Sequence, residues 1–385
     1  MVTALPVVRL TGSYGEMGVD YGRRLRDLVD RNLQDYLRRF RDVAGLKDDE
    51  VRAWGDLYRR VAQRYDPSIS TMLDALAEGA GQPASLIYAL NARTEILYGN
   101  SNRQSPRSDD GCTSLAVVPT HVRTRHVLLG QNWDWHPEQR EVTFLLETRD
   151  DDGFSVLTLT EAGMLAKSGV NSAGIGVCAN LLVSDADRGG EGVPYHFLLR
   201  GVLQSHTMAD ALRAATAHPR SSSGNLLVAD ADGEAIDLEV CPGDFGYMLP
   251  EDGLIAHSNH FLTGVPVKDL RKGLSALTLL RPQRARHLLQ EKLDRRSVAI
   301  EDFQRVFRDH YSFPNSICRH IDNRDPEFDR VCSVYSLVFD LTDRNLLIAA
   351  HPACENEFES ITLGEVPEAE AVNATMSRAE TGLQV

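Results

Sequence analysis

The sequence predicts an α+β protein in which antiparallel sheets are covered by helices. Helical periodicity dominates residues 14–98, strand patterns start after residue 111, and two later pairs of helices are each followed by strands. Because helices and strands occur in blocks instead of alternating one by one, a doubly wound parallel sheet is not expected. Hydrophobic residues make up 42% of the 385-residue chain and charged residues 25%, which provides enough apolar side chain for a sizeable core.

The first block of helices is indicated by apolar residues that recur at three- and four-residue steps, as in the stripe from Leu25 to Phe40. Prolines at positions 67 and 83 fit this interpretation, because a helix tolerates proline in its first turn. We interpret the apolar stripes as faces that pack against a core. The expected helices cover residues of about 25–40, 49–65, 67–79 and 83–99.

A polar loop and a run of strands follow the helices. Residues 99–111, GNSNRQSPRSDDG, contain no large aliphatic residue and are expected to form a loop. The segments after this loop are rich in β-branched residues and are separated by Gly, Pro and Asp, which is typical of strands. These segments are CTSLAVVP, HVLLGQNWDW, VTFLLETRD, FSVLTLTEAG and LAKSGVNSAGIGVCANLLV.

The rest of the chain contains two further blocks of helix and strand. Two helices near residues 194–217 precede a hairpin, GNLLVADADGEAIDLEV with DADG as its turn, and a strand that ends in LIAHSNH. Helices at about 274–293 and 299–310 precede a closing pair of strands, CSVYSLVFDL and NLLIAAHPAC. The acidic segment of about residues 365–385 has little periodicity and is expected to be a loose tail.

The charge balance argues against several classes of partner. With 41 basic and 55 acidic residues the net charge is −14, whereas nucleic acids and anionic membrane surfaces require a basic face. No targeting segment is recognised and no run of about 18 apolar residues occurs, so a membrane-spanning helix is not expected. Six cysteines without a C-x-x-C pair are too sparse for a disulfide scaffold and favour a cytoplasmic protein.

Two motifs point only weakly to a cofactor or a metal. The segment GIGVCA matches a relaxed dinucleotide fingerprint, but the helix that should follow it is not predicted. His257 and His260 stand three residues apart with His206 elsewhere, and neither H-E-x-x-H nor a cysteine pair accompanies them. We therefore expect no cofactor and no bound metal.

Cys112 is the residue whose position alone suggests chemistry. It follows Gly111 where the polar loop meets the first strand. Two interpretations are open from this position: a buried cysteine that leads a strand, or a thiol that attacks the preceding carbonyl carbon. In the second, hydrolysis of the resulting thioester makes Cys112 a new N-terminus. Its α-amine, with a pKa of about 8, then accepts the proton of its own thiol.

A series of motifs favours the second interpretation. DGCTSLAVVP and LLGQNWDW resemble the autoprocessed start of the isopenicillin N acyltransferase family, N-terminal-nucleophile hydrolases that include the acyl-coenzyme A:6-aminopenicillanic acid acyltransferases. The resemblance continues in order over roughly residues 10–350 and implies a four-layer αββα sandwich. The further matching segments are NARTEILYG, TEAGMLAKSGVNSAGIGV, GVPYHFLLR, AHSNHFL and FPNSICRH.

The resemblance also implies four catalytic residues. Cys112 is the nucleophile, first for cleavage after Gly111 and then for turnover. Asp134, in QNWD, resembles the family's acidic residue and is expected to hold the new amine. Asn259, in HSNH, resembles the side-chain donor of the oxyanion hole. Arg319, in SICR, resembles the active-site arginine, which is expected to neutralise Asp134 or bind a substrate carboxylate.

Five further residues are expected to contact the substrate or to support the site. For Trp135 and Asn171 we expect packing in the pocket walls, and Trp135 is a larger ring than the aromatic that the penicillin enzymes carry there. The wider family includes amidases, so the fold and the nucleophile do not define the substrate. The five residues are Thr113, Ser114, Trp135, Asn171 and Ser316.

The resulting hypothesis is a self-processing enzyme that hydrolyses or transfers the acyl group of a small-molecule amide. Residues 1–111 form a mainly helical α chain and residues 112–385 form the catalytic β chain, and the two fragments stay associated as one composite domain. Because no coenzyme A site is recognisable in the sequence, we expect hydrolysis as the common activity and acyl-coenzyme A only as a possible co-substrate.

Two alternatives remain open at this stage. One is a conventional thiol hydrolase without self-cleavage, which needs a histidine base such as His196, His257 or His260. The other is a non-catalytic binding protein on the same fold, which would be free to lose the residues that this chain retains. Denaturing electrophoresis of the purified protein is the simplest test, because two bands support self-cleavage.

Overall fold

The structure is a computed structural model that describes residues 5–99, 111–272 and 276–364. Most of the predicted polar loop, residues 100–110, and the predicted loose tail, residues 365–385, lie outside the described residues. The prediction that the chain divides into segments 1–111 and 112–385 therefore stays a prediction. Among the described residues, no helix combines the length and the apolar character that a membrane span requires.

The N-terminal helices form where the apolar stripes predict them. Asp66 caps one helix by accepting a hydrogen bond from the Ser68 backbone N–H at 2.9 Å, and Gly81 ends it in the left-handed region at φ 67°. The predicted helix over 83–99 is divided at Ala92. The helices are α1 (Tyr14–Arg24), α2 (Arg26–Asp42), α3 (Asp48–Tyr65), α4 (Pro67–Ala80), α5 (Ala84–Asn91), α6 (Arg93–Tyr98), α7 (Tyr195–Leu203), α8 (Met208–Thr216), α9 (Arg281–Asp294) and α10 (Ile300–Phe307).

The strands follow the predicted segments, with three short additions that the sequence pattern did not indicate, β1, β10 and β14. The strands are β1 (Val7–Thr11), β2 (Thr113–Val117), β3 (Leu128–Trp135), β4 (Thr143–Arg149), β5 (Ser155–Glu161), β6 (Gly169–Asn171), β7 (Ile175–Asn180), β8 (Gly224–Asp230), β9 (Ala235–Cys241), β10 (Asp244–Met248), β11 (Leu254–His257), β12 (Cys332–Asp340), β13 (Asn345–Ala350) and β14 (Glu359–Thr362).

These strands form two sheets. One has eight strands in the order β1-β4-β5-β6-β7-β8-β9-β10, and the other has six in the order β11-β2-β3-β12-β13-β14. All named pairs are antiparallel except β1 with β4, which run parallel. A parallel pair needs a long crossover, and here the helices α1 to α6 with β2 and β3 lie between the two strands in the chain.

The alternation of side chains along the strands generates four layers. On β8, Leu226 and Val228 belong to the apolar cluster between this sheet and the helices, whereas Leu227 and Ala229 point into the space between the two sheets. The six-stranded sheet buries its other face, including Val117, under α9 and α10. The layers are thus helix, sheet, sheet and helix, which confirms the predicted α+β sandwich with antiparallel sheets, the β1–β4 pair excepted.

Candidate active site

The register of three strands brings the candidate catalytic residues together. Cys112 immediately precedes β2, in which Ser114 lies opposite His257 of β11 and Thr113 lies opposite Asn132 of β3. Continuing the two antiparallel registers places Asn259 beside Cys112 on one side, and on the other side it places Trp133 beside Cys112 and Asp134 beside Gly111. Residues 22 and 147 positions apart in the chain thereby meet at one end of the six-stranded sheet.

A cavity of about 50 Å³ lies at this point between the sheets. Cys112, Asp134 and Asn259 line it together with Gly111, so the junction that the sequence predicts to be cut faces the cavity. Arg319 is buried but does not line this cavity. The structure therefore brings three of the four predicted catalytic side chains to one site.

The thiol of Cys112 is buried and protonated in the intact chain. Its side chain belongs to the apolar cluster between the sheets, and Sγ lies 3.9 Å from the backbone oxygen of Asp134. Burial raises the pKa of the Cys112 thiol to about 11, and the negative charge of Asp134 acts in the same direction. An uncut chain thus keeps the sulfur as a weak nucleophile, and activation requires a base close to the thiol.

Arg281, which the sequence motifs did not indicate, contacts the cleavage junction directly. It is the first residue of α9, and its guanidinium is buried. Nη1 donates hydrogen bonds to the carbonyl oxygen of Gly111 and, at 2.9 Å, to that of Cys112, with Thr113 Oγ1 at 3.2 Å. A fixed positive charge therefore lies on the carbonyl of the bond that the sequence predicts to be cut.

The same arginine orients Asn259. Arg281 Nη2 donates to Asn259 Oδ1 at 3.0 Å, while Asn259 Nδ2 donates to the Leu181 carbonyl oxygen at 3.0 Å. A Cβ atom built on Gly111 would lie 3.6 Å from both amide atoms, an ordinary van der Waals contact. The Asn259 amide is thus held beside the junction, where a second N–H is available to a developing oxyanion. The same geometry shows that a side chain as small as Ala fits at position 111.

Asp134 is linked to Arg319 through Ser333. The Ser333 hydroxyl donates to Asp134 Oδ1 at 2.6 Å, and it accepts a hydrogen bond from the Arg319 backbone N–H at 2.9 Å. The other carboxylate oxygen, Oδ2, lies 4.0 Å from Arg281 Nη1. The link through Ser333 connects the loop that carries Arg319 to the Asp134 carboxylate, and the pairing of β3 with β12 makes this connection possible.

The five predicted supporting residues divide into two groups. Thr113 contacts Arg281, Ser114 Oγ accepts from Asn180 Nδ2 at 2.7 Å, and the ring of Trp135 lines the cavity. Asn171 and Ser316 lie outside the cavity lining. Asn171 donates to the carbonyls that end α7, and Ser316 donates to the Cys318 carbonyl at 2.8 Å. Both side chains therefore hold backbone carbonyl groups in position and do not face the cavity.

A buried ion cluster that the sequence analysis missed forms another wall. Arg93 Nη2 and Lys167 Nζ bind the same oxygen of Glu161, at 2.9 and 2.7 Å, and the Tyr36 hydroxyl donates to the other oxygen at 2.7 Å. Burial opposes ionisation of Glu161, but Arg93 and Lys167 outweigh it and lower its pKa. Two cations share one carboxylate, so the cluster presents one surplus positive charge to the cavity.

Lys167 is the cation of this cluster whose pKa lies close to neutral pH. Burial, followed by the charge of Arg93, lowers its pKa to about 8 against the opposing effect of Glu161. Its Nζ lies 4.2 Å from the centre of the Trp133 ring, and the Arg93 guanidinium lies 4.4 Å from that of Trp135. The sequence did contain a signal for Lys167, because a lysine in the largely apolar segment MLAKSG is unusual and indicates a buried charge.

The three candidate histidine bases lie in different environments. His257 is buried between the carboxylate of Glu239, at 2.8 Å, and the carbonyl oxygen of Ser258, at 2.8 Å. His260 lies beside the hydroxyls of Ser258 and Thr278. His196 lines the cavity, and burial lowers its pKa well below the ordinary value, so that its imidazole is neutral. Of the three, His196 alone is positioned for contact with a ligand in the cavity.

Comparison with known proteins gives consistent matches. The sequence profile of the family described as acyl-coenzyme A:6-aminopenicillanic acid acyl-transferase matches residues 122–352, which is more than half of the chain. This range contains Asp134, Asn259, Arg281 and Arg319 and starts after Cys112. A relative from Emericella nidulans, described as acyl-coenzyme A:6-aminopenicillanic-acid-acyltransferase 40 kDa form, is 28% identical over 298 residues, covering 76% of this chain and 77% of the relative.

Two solved structures are also similar. A variant of conjugated bile acid hydrolase from Clostridium perfringens is 14% identical, with a TM-score of 0.43 over 68% of this chain and 100% of that chain. Penicillin V acylase from Agrobacterium tumefaciens is 14% identical, with a TM-score of 0.42 over 62% of this chain and 83% of that chain.

Proposed function

The chain belongs to the acyl-coenzyme A:6-aminopenicillanic acid acyl-transferase family, and on this premise we propose that it is a cysteine amide hydrolase or acyltransferase that first cuts its own chain between Gly111 and Cys112. The family membership that the motifs predicted is confirmed. The self-cleavage and the thioester mechanism are our proposal, and the following contacts support them.

One observation carries the proposal: Arg281 donates a hydrogen bond to the carbonyl oxygen of Gly111 at the mouth of a buried cavity that also contains the Cys112 thiol. Attack on that carbonyl carbon places a negative charge on its oxygen. A buried guanidinium already bonded to this oxygen stabilises the charge without reorganisation. A cysteine with a purely structural role has no need of a cation on the preceding carbonyl.

The cleavage step converts an amide into a thioester and then into two chain ends. Sγ of Cys112 attacks the Gly111 carbonyl carbon, the C–N bond breaks, and the thiol proton ends on the released nitrogen. Water then hydrolyses the thioester, which leaves a carboxylate on Gly111 and a free thiol and α-amine on Cys112. The new amine has a pKa of about 8 and supplies the base for the thiol in the turnover that follows.

Turnover repeats the same attack on an external amide. The Cys112 amine takes the thiol proton, sulfur forms a thioester with the acyl group, and the leaving amine departs with that proton. In this proposal Asn259 Nδ2 and Arg281 stabilise the oxyanion and Asp134 orients the amine. The hydrogen bonds from Arg281 to Asn259 and from Ser333 to Asp134 support these roles. Water resolves the thioester in hydrolysis, and a second amine resolves it in acyl transfer.

The cavity walls indicate the class of substrate. Trp133, Trp135 and Leu199 offer apolar surface, whereas Lys167 and Arg93 add one surplus positive charge. We propose a small acyl amide with an apolar acyl group and a carboxylate. The relative from Emericella nidulans is named for acyl transfer to 6-aminopenicillanic acid, an amine that also carries a carboxylate. Acyl-coenzyme A enters this proposal as a possible co-substrate and not as a bound cofactor.

The test combines processing with activity. The purified wild type should give fragments of about 12 and 30 kDa from the 42.7 kDa chain, and the larger should begin Cys-Thr-Ser-Leu. Cys112→Ala should stay uncut and inactive, whereas Cys241→Ser, a matched change on β9, should be cut normally. Acyl amides are then supplied with and without 6-aminopenicillanic acid, and products are identified by mass spectrometry. An active wild type with an intact 111–112 bond contradicts the mechanism.

A second candidate, a thiol hydrolase without self-cleavage, is favoured by one observation, the neutral imidazole of His196 in the cavity wall. His196→Gln separates the two mechanisms. If the Cys112 amine is the base, this variant keeps both cleavage and most of the turnover rate. If His196 is the base, turnover falls by the 10²–10⁴-fold that general-base catalysis typically supplies. A wild type that is neither cut nor active on any amide supports a binding protein instead.

A further inference from the structure

Four metal-ligand side chains meet outside the catalytic cavity. They come from three separate segments: His310 follows α10, Cys318 and His320 lie in the loop that carries Arg319, and Cys354 follows β13. One ligand atom from each lies within 4.8 Å of every other. Cys318 is buried, His320 and Cys354 are half-buried, and His310 is exposed. The cluster therefore lies at the protein surface, and Cys318 forms its inner side.

The distances within the cluster are those of a coordination shell. Nε2 of His320 lies 3.2 Å from Nε2 of His310, 3.7 Å from Sγ of Cys318 and 3.4 Å from Sγ of Cys354. Tetrahedral zinc with ordinary bond lengths separates two nitrogens by about 3.3 Å and a nitrogen from a sulfur by about 3.6 Å. The three separations in the cluster agree with these ligand-to-ligand distances to within about 0.2 Å.

Hydrogen bonding alone does not account for this convergence. Nε2 of a neutral imidazole is either one donor or one acceptor, so His320 can satisfy only one of its three close neighbours at a time. A cation at the centre satisfies all four ligand atoms together. We propose that His310, Cys318, His320 and Cys354 form a structural zinc site.

The donor set identifies the metal and its role. Two sulfurs and two imidazole nitrogens are the ligands of structural zinc, whereas magnesium and calcium prefer oxygen ligands. Four protein ligands complete the tetrahedron, so the site has no open position for water or substrate. The metal therefore stabilises the fold and takes no chemical part in the reaction.

The position of the site gives the metal a consequence for the active site. Cys318 and His320 flank Arg319, whose backbone N–H binds the Ser333 hydroxyl that in turn donates to Asp134. Through its ligands, zinc would connect the loop that carries Arg319 to His310 after α10 and to Cys354 after β13. This consequence, unlike the metal site itself, rests on the function proposed above. The proposal departs from the sequence-based expectation of no metal, which rested on the lack of a C-x-x-C or H-E-x-x-H motif.

Metal content measures the proposal directly. The wild type, Cys318→Ser, Cys354→Ser and His310→Ala are purified without an affinity tag or chelator, with Cys241→Ser as the matched control, and zinc is quantified by mass spectrometry. We expect about one zinc per chain in the wild type and the control. The two site serines should retain less than about a tenth of that. His310→Ala, which removes an exposed ligand and should fold, should bind zinc at least about tenfold more weakly in a chelator competition.

Cobalt replacement identifies the ligands. Wild type reconstituted with Co²⁺ should show the visible bands of a tetrahedral site and a thiolate charge-transfer band, and these should vanish in Cys354→Ser. A wild type that binds no zinc after reconstitution overturns the proposal, as does a Cys318–Cys354 disulfide found by peptide mapping of the wild type as purified. Zinc bound equally by wild type and both serine variants also overturns it. The same measurement on Cys112→Ala keeps the zinc result independent of the catalytic proposal.

Discussion

Replacing Arg281 with Met tests the contact on which the proposed self-cleavage depends. The substitution keeps an unbranched side chain in the first turn of α9 but removes the donor from the Gly111 carbonyl oxygen and the charge near Asp134. Loss of one oxyanion donor costs about 2.7–4 kcal/mol of transition-state stabilisation, or 10²–10³ in rate. We therefore expect the half-life of the uncut chain to lengthen by about that factor.

Removing this side chain also has a cost in stability. The carbonyl of Cys112 and Oδ1 of Asn259 lose their donor in a buried site, at about 1–3 kcal/mol for each group that finds no new partner. Thermal unfolding of Arg281→Met shows whether the variant still folds. Arg281→Lys keeps the charge but not the fork of donors, so its cleavage rate should lie between those of the wild type and Arg281→Met.

The assay follows cleavage from the moment of synthesis. Each variant is made by cell-free translation, quenched in denaturant at intervals, and the 42.7 kDa chain is quantified against its fragments. Arg295→Met is the matched control, because Arg295 ends α9 on the surface, where it pairs with Glu291 at 3.0 Å. If a folded Arg281→Met is cut at the same rate as this control, the oxyanion role of Arg281 is wrong.

Three further predictions concern turnover by the processed enzyme. Asn259→Ala should lower kcat by about 10²–10³ and change KM little, because an oxyanion donor acts only as charge develops; an effect confined to KM contradicts this role. Asp134→Asn should shift the acidic limb of the pH–rate profile to lower pH, since the Cys112 ammonium loses a stabilising anion and its pKa falls; an unchanged limb removes Asp134 from this role. Lys167 has a pKa lowered to about 8, so its charge is present below that pH and lost above it. KM for a carboxylate substrate should therefore rise as pH passes about 8 in the wild type but not in Lys167→Met, and the methyl ester of the same substrate should show no such rise.

The helices and central strands could be predicted from the sequence because their signals are local. The stripe from Leu25 to Phe40 specifies which side of its helix is apolar, and the short continuous apolar run along β8 is typical of a strand that is buried on both faces. The short strands β1, β10 and β14 lack such a signal. Each lies at a sheet edge, and pairing with a neighbour, not its own pattern, makes it a strand.

The same distinction applies to the candidate site. The sequence by itself determined Cys112 as the nucleophile candidate, since its position after Gly111 at a loop–strand junction and the motifs around it are contiguous in the chain. Nothing in the local pattern separates Arg281 from the neighbouring arginines of α9. Its role follows only from packing of that helix against the sheet, which brings it to a junction 170 residues earlier.

The ion cluster and the proposed zinc site show what only the tertiary structure decided. Arg93 and Lys167 meet on Glu161, and Cys354 meets His320, because the fold brings together segments that are distant in the chain. Burial then turns Arg93, Lys167 and Glu161 into a charged wall of the cavity by removing the water that would otherwise solvate them. Sequence patterns indicate which residues become buried, whereas tertiary packing determines which residues they contact once buried.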